Sequence, residues 1–283
     1  MKPQDIIRRA PNLPTLSPSI TRLLADLAKP NIDNDRIVSC IRQDVVLSAK
    51  VLSLCNSAAF GFSSPIDSIE YATVLLGQLE LRRLVLALAF GDALGASLPG
   101  YDIAEGSLWR HSLLTALIAE HIAKTNSVVL FDPSVAYTAA LIHDIGKLAI
   151  GQAIDPKTKD KILSLVENQN RSLIDAEREC LGTDHAEVGG CLLTLWRLPE
   201  SLVEAVACHH SPTPSNPPSL SSLVHVSNLI AHEVGESPGM LSFAQHCDES
   251  AVARLGLNHN DIESLILTAL DFRSDVDNTS EKE

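Results

Sequence analysis

Apolar residues recur three and four positions apart through most of this chain, while strand-length alternation of β-branched or aromatic residues is missing, so the pattern predicts an all-α fold. Between Ser17 and Ala28 the apolar positions are 20, 23, 24 and 27, and Pro30 is expected to close that helix because proline cannot extend the hydrogen-bond ladder. Asp33 reads as the cap of a helix over 35–42, and Asp44 as the cap of the next, which ends at Asn56-Ser57. After a loop from Phe60 to Pro65, Asp67 or Ser68 opens a helix that Gly77 stops. Residues 80–95 are apolar enough to be the central helix of this half.

Leu98-Pro99-Gly100-Tyr101 reads as a boundary between an N-terminal helical subdomain over 1–100 and a second helical domain over 101–272, the two expected to pack as one multi-helix bundle. Gly, Pro and Asp signals divide the second domain into helices near 104–125, 133–146, 158–168, 171–181, 185–195, 199–209, 220–235, 248–254 and 259–271. Ser211 to Ser219, with four prolines, is expected to be a rigid exposed loop, and 273–283 a disordered acidic tail.

Composition narrows the function more than the fold. A length of 283 residues is enough to enclose a core without covalent staples, and the six cysteines contain no C-x-x-C pair, which fits buried thiols in a reducing compartment. A net charge of −13 leaves no basic stripe for a phosphate backbone, so no direct nucleic-acid partner is expected. The most hydrophobic window, Leu84 to Leu98, is short for a bilayer and carries Asp92, and the N-terminus has Asp5 and prolines where a leader would be apolar. The expectation is a cytoplasmic protein with no membrane partner.

Candidate chemistry centres on His143-Asp144-Ile145-Gly146-Lys147, which follows the apolar run Tyr137 to Ile142. An imidazole beside a carboxylate is a compact start for a divalent metal site, and His111, His185, His209 and His210 could complete it if their helices converge. The plain alternative is a helix end where Gly146 is the C-cap and Lys147 complements the terminal dipole. Lone histidines such as His121, His225, His232, His246 and His259 are ordinarily surface or satisfied core residues. Asp144→Ala is expected to perturb the fold less than Leu86→Asp, because losing a ligand mainly empties a site.

Many short stretches, in one order, resemble the HD superfamily of metal-dependent phosphohydrolases, and more closely its HD-related output domain (HDOD) branch of bacterial signalling proteins. They run from Leu13-Pro14-Thr15-Leu16 through Asp44 to Leu52, Asn56-Ser57-Ala58, Ser68 to Gly77, Asp184 to Gly190 and Trp196 to Pro199, ending at His209-His210-Ser211-Pro212. The resemblance implies an HD-like second domain and a regulatory module that works through signalling protein partners, its metal site often eroded. It also implies a small phosphorylated ligand as an alternative partner.

The His143-Asp144 pair with Gly146-Lys147 is similar to HD-GYP cyclic-di-GMP phosphodiesterases. That likeness implies His111, His143, Asp144, His185, His209 and His210 as ligands of Fe, Mn, Zn or Ni, with no organic cofactor. In an active enzyme it implies Asp144 and Lys147 as the catalytic residues. The pattern's final carboxylate falls on Asn228, and Ser211 to Pro218 lacks the tyrosine and glycines of the Gly-Tyr-Pro loop. A neutral amide offsets ionic repulsion less than a carboxylate, so a single, partly occupied ion is expected, with metal-dependent phosphohydrolysis as the alternative function.

Overall fold

The computed structural model describes residues 1–27, 34–57, 60, 65–169, 171–212, 214, 218–239 and 247–280. Pro30, Asp33, His246 and much of the loops expected at 60–65 and 211–219 lie outside them. The described residues form fifteen α-helices, a short 3-10 turn and no strands, and they divide into two compact units.

One unit spans Pro14–Ala93. It holds α2 (Pro18–Leu27), α3 (Asn34–Arg42), α4 (Val45–Cys55) and most of α5 (Ile69–Gly95). Asp44 caps α4 as its sequence predicts, accepting the Leu47 N–H at 3.0 Å while Ser17 donates to its other oxygen at 2.7 Å. Asn56 ends that helix and ties the following loop shut, donating to Ile66 O at 2.7 Å and accepting the Ile66 N–H at 2.8 Å. Within α5 the chain leaves helical geometry at Gly77 (φ 75°, ψ 167°), a region in practice reserved for glycine, which is why the two apolar helical stretches meet there.

The other unit joins residues 1–13 to 94–283. It contains α1 (Pro3–Arg9), a 3-10 turn (Pro99–Tyr101), α6 (Ser107–Thr125), α7 (Pro133–Leu141), α8 (Gly146–Ala153), α9 (Pro156–Gln169) and α10 (Leu173–Leu181). It continues with α11 (His185–Leu195), α12 (Glu200–Ala207), α13 (Leu220–Glu233), α14 (Glu249–Arg254) and α15 (His259–Ser280). Helix α6 packs on α7, α13 and α15, while α11 packs on α12, α8 and α1.

Three elements differ from the sequence reading. Helix α1 was not expected: it has a single buried residue, Ile6, and at seven residues it is too short to persist alone, so packing on α8 and α11 holds it. The helix expected over 133–146 ends at Leu141, and a separate helix begins at Gly146. Every residue from Ser134 to Leu141 is buried, so the run has no polar face from which periodicity could locate the turn. Helix α15 continues to Ser280, past the expected end at 271, because Ala269 and Val276 are buried and Arg273 hydrogen-bonds Val234 O, all on one face.

Candidate metal centre

The break between α7 and α8 creates the site. Residues 142–145 form the corner, Asp144 is 1% exposed, and Gly146 lets α8 approach α11 at backbone distance. A Cβ on Gly146 would stand 1.9 Å from His185 O and 2.6 Å from Gly189 N. Gly146 therefore opens a helix instead of capping one. Lys147 lies in the first turn of α8, where the helix dipole disfavours a cation, and it turns its ammonium to Asp144 Oδ2 at 2.6 Å.

Around this carboxylate the structure brings together all six residues named from the sequence. The Nε2 atoms of His143 and His111 lie 3.4 and 3.7 Å from Asp144 Oδ2, and those of His185 and His209 lie 3.3 and 3.8 Å from Oδ1. His210 joins through its Nε2, 3.0 Å from that of His185. Two ligand groups result, His111-His143-Asp144 and Asp144-His185-His209-His210, each with its donor atoms within 4.8 Å of one another. His111 comes from α6, His143 and Asp144 from the corner, His185 from the start of α11, and His209 and His210 from just past α12.

The far side of three of the rings fixes their protonation. His111 Nδ1 lies 2.7 Å from Glu236 O, His143 Nδ1 2.7 Å from Ala140 O and His209 Nδ1 2.7 Å from Val206 O. A carbonyl only accepts, so these Nδ1 atoms carry the protons and each Nε2 presents a lone pair inward. The His111 and His143 Nε2 atoms face each other at 3.3 Å. Buried His209 Nε2 and Asp144 Oδ1 have no hydrogen-bond partner among the described residues. Inward lone pairs around a carboxylate form a donor set that fits a divalent transition ion.

The electrostatics agree at four of the five histidines. Burial holds His111, His209 and His210 well below the ordinary imidazole range, reinforced at each by a neighbouring histidine, and burial also lowers His143. Burial alone would raise the Asp144 carboxyl, but Lys147, His143 and His185 outweigh it and hold it well below its usual value. His185 differs: burial pushes it down, yet the charge of Glu177, the adjacent Asp144 carboxylate and the hydrogen bond His185 donates to Glu177 prevail and raise it to about 9.

Sequence reasoning missed the residues behind the ligands. Glu177 Oε2 accepts from His185 Nδ1 at 2.9 Å and from its backbone N–H at 2.8 Å, and Tyr101 donates to the other oxygen. Its signal was available, since Leu173, Ile174, Glu177 and Leu181 share the buried face of α10 and place one carboxylate inside an apolar stripe. His225 Nδ1 donates to His209 O at 2.7 Å, a satisfied core histidine that holds a ligand's main chain. His232 lies against His111, with ring centroids 4.7 Å apart and ring planes tilted by 41°. His259 is exposed and His121 meets Phe272, both outside the cluster. Asn228 is buried on α13 with Oδ1 unpartnered among the described residues.

Comparison with known proteins agrees with this architecture. An uncharacterized protein of Treponema pallidum (strain Nichols) is 27% identical over 241 residues, which is 83% of this chain and 45% of that one. A second curated relative, YuxH of Bacillus subtilis (strain 168), is 31% identical over 109 residues, 38% of this chain and 26% of its own. The chain thus spans less than half the length of these curated relatives. The crystal structure of an HDOD domain protein of unknown function from Geobacter sulfurreducens superposes with a TM-score of 0.72 at 26% identity, covering 97% of this chain and 96% of that one. A protein of Shewanella amazonensis SB2B, named as a candidate phosphohydrolase, gives 0.66 at 27% identity, covering 94% and 93%. The HDOD domain profile itself matches residues 13–212, most of the sequence, and this chain belongs to the HDOD domain family.

Proposed function

We propose that this chain is a regulatory module of bacterial signal transduction that acts through protein partners and is organised around a bound divalent transition metal. The observation that carries the reading is the burial of the centre: His111, His143, His185 and His209 are fully buried, Asp144 is 1% exposed, and His210 alone of the six is partly exposed. Such a centre is built to hold an ion and offers little surface to a phosphoester. When bound, the metal supplies Lewis acidity and a rigid cross-link between the Asp144 corner, α11 and the end of α12. Glu177 and the carbonyls of Glu236, Ala140 and Val206 fix ring orientation, and Lys147 neutralises Asp144. The missing carboxylate at Asn228 and the absence of a Gly-Tyr-Pro loop favour binding over turnover.

A second reading, a metal-dependent phosphohydrolase acting on cyclic di-GMP or nucleotide phosphates, draws support from the two ligand groups that share Asp144. Its phosphate-steadying cation would be Lys147. Elemental analysis of protein purified without chelators, melting with and without Mn²⁺ or Fe²⁺, and phosphodiesterase assays of wild type against His143→Ala separate the two. The regulatory reading expects bound metal, a raised melting temperature and no turnover that His143→Ala removes. Turnover lost in that variant would establish the enzyme, and metal-free protein indifferent to both ions would overturn both readings.

A further inference from the structure

The two ligand groups share Asp144 but use different oxygens of it. On Oδ1 stand His185 and His209, with His210 alongside His185. On Oδ2 stand His111 and His143, and the Lys147 ammonium is already there at 2.6 Å, closer than either ring. Lys147 is 4% exposed, so little water screens it from a divalent ion placed on the same oxygen. Moving it away would strand a buried ammonium without its carboxylate.

The outer partners are just as unequal. Behind His185 lies a second carboxylate, Glu177, at 2.9 Å, which adds negative charge to the Oδ1 side. On the Oδ2 side, the outer nitrogens of His111 and His143 meet the neutral carbonyls of Glu236 and Ala140. Three imidazoles and one carboxylate oxygen on the Oδ1 side also make a complete four-donor set, whereas the Oδ2 side offers two imidazoles and an oxygen already shared with a cation.

We propose that Lys147 stands in the place of a second metal ion, so that the cluster takes a single divalent ion on Asp144 Oδ1 with His185, His209 and His210. This rests on the reading that the cluster binds metal, and it adds which half is filled and what fills the other. His111 and His143 then serve as neutral neighbours of an internal cation, and the centre is mononuclear by the placement of one side chain.

The test is metal stoichiometry after saturation with Mn²⁺ and removal of excess, read together with the electron paramagnetic resonance spectrum. Wild type is expected to hold one ion per chain with the spectrum of an isolated Mn²⁺. Lys147→Met, which keeps length without charge, is expected to hold two, with the exchange-coupled signal of a pair sharing a carboxylate. Lys147→Arg is expected to remain at one. Should Lys147→Met fail to fold, the ligand variants still decide: His111→Ala is expected to leave wild-type stoichiometry unchanged and His185→Ala to reduce it to near zero. Two ions in wild type, one in folded Lys147→Met, or metal lost from His111→Ala but kept by His185→Ala would each overturn the proposal. No metal in wild type or in any variant would instead remove the metal-binding reading beneath it.

Discussion

Removing the carboxylate at the centre tests how the core balances its charges. Asp144 and Lys147 are 1% and 4% exposed, and their 2.6 Å contact is a charge-assisted hydrogen bond with almost no solvent access. Taken only as a ligand, Asp144 could be lost at little cost to the fold, below that of Leu86→Asp. The structure adds a buried ammonium that loses its partner, and breaking such a pair from one side costs about 3–5 kcal/mol. Asp144→Ala in metal-free protein is therefore expected to rank with Leu86→Asp, which puts a charge at a site 1% exposed in α5. Replacing both charges by apolar groups leaves no orphan, so Asp144→Ala/Lys147→Met is expected to recover about 2–4 kcal/mol of the loss. Urea unfolding after chelator treatment, followed by fluorescence, reads this well because both tryptophans, Trp109 and Trp196, belong to the unit that holds the centre. With urea slopes of about 1–3 kcal/mol per molar, the single variant should lower the midpoint by at least about 1 M. A single variant within about 1 kcal/mol of wild type, or a double variant no more stable than the single, would refute the reasoning.

Other perturbations probe the supports. Glu177→Gln removes the charge that orients His185 and is expected to weaken metal affinity about 10–100-fold in chelator competition, with unchanged affinity counting against the role of Glu177. Gly146→Ala forces a Cβ into His185 O and Gly189 N, so it is expected to cost about 1–3 kcal/mol or more in thermal melts and to lower metal content; a wild-type melt would show that α8 and α11 separate freely. Gly77→Ala meets no atom within 4 Å, so its expected cost, about 1–3 kcal/mol, is backbone strain alone and should leave metal binding intact. Val276→Asp is expected to speed amide exchange over the last turns of α15 without touching the centre, and unchanged exchange would mean that Val276 does not anchor them.

Much of this protein was legible in its order of residues. Three-and-four spacing identifies the all-α class, Asp44 declares its helix start, and Gly77 marks a break because few other residues tolerate its backbone angles. The six metal-type side chains could be named in advance because a histidine beside an aspartate is a compact start for a metal site, and the resemblance to HD-type proteins implies His111, His185, His209 and His210 as its other ligands. Tertiary structure decided the rest, for reasons of packing. Helix α1 exists only against α8 and α11, and the corner at residues 142–145 lies inside a run buried on every side, where no polar face reports a turn. Glu177 reaches His185 across the turn at Gly182, and the buried Lys147 ammonium pairs with Asp144 Oδ2 at 2.6 Å instead of a helix end. Spacing along a chain can bring donor types onto helices, but which carboxylate oxygen each donor faces depends on how those helices close around it.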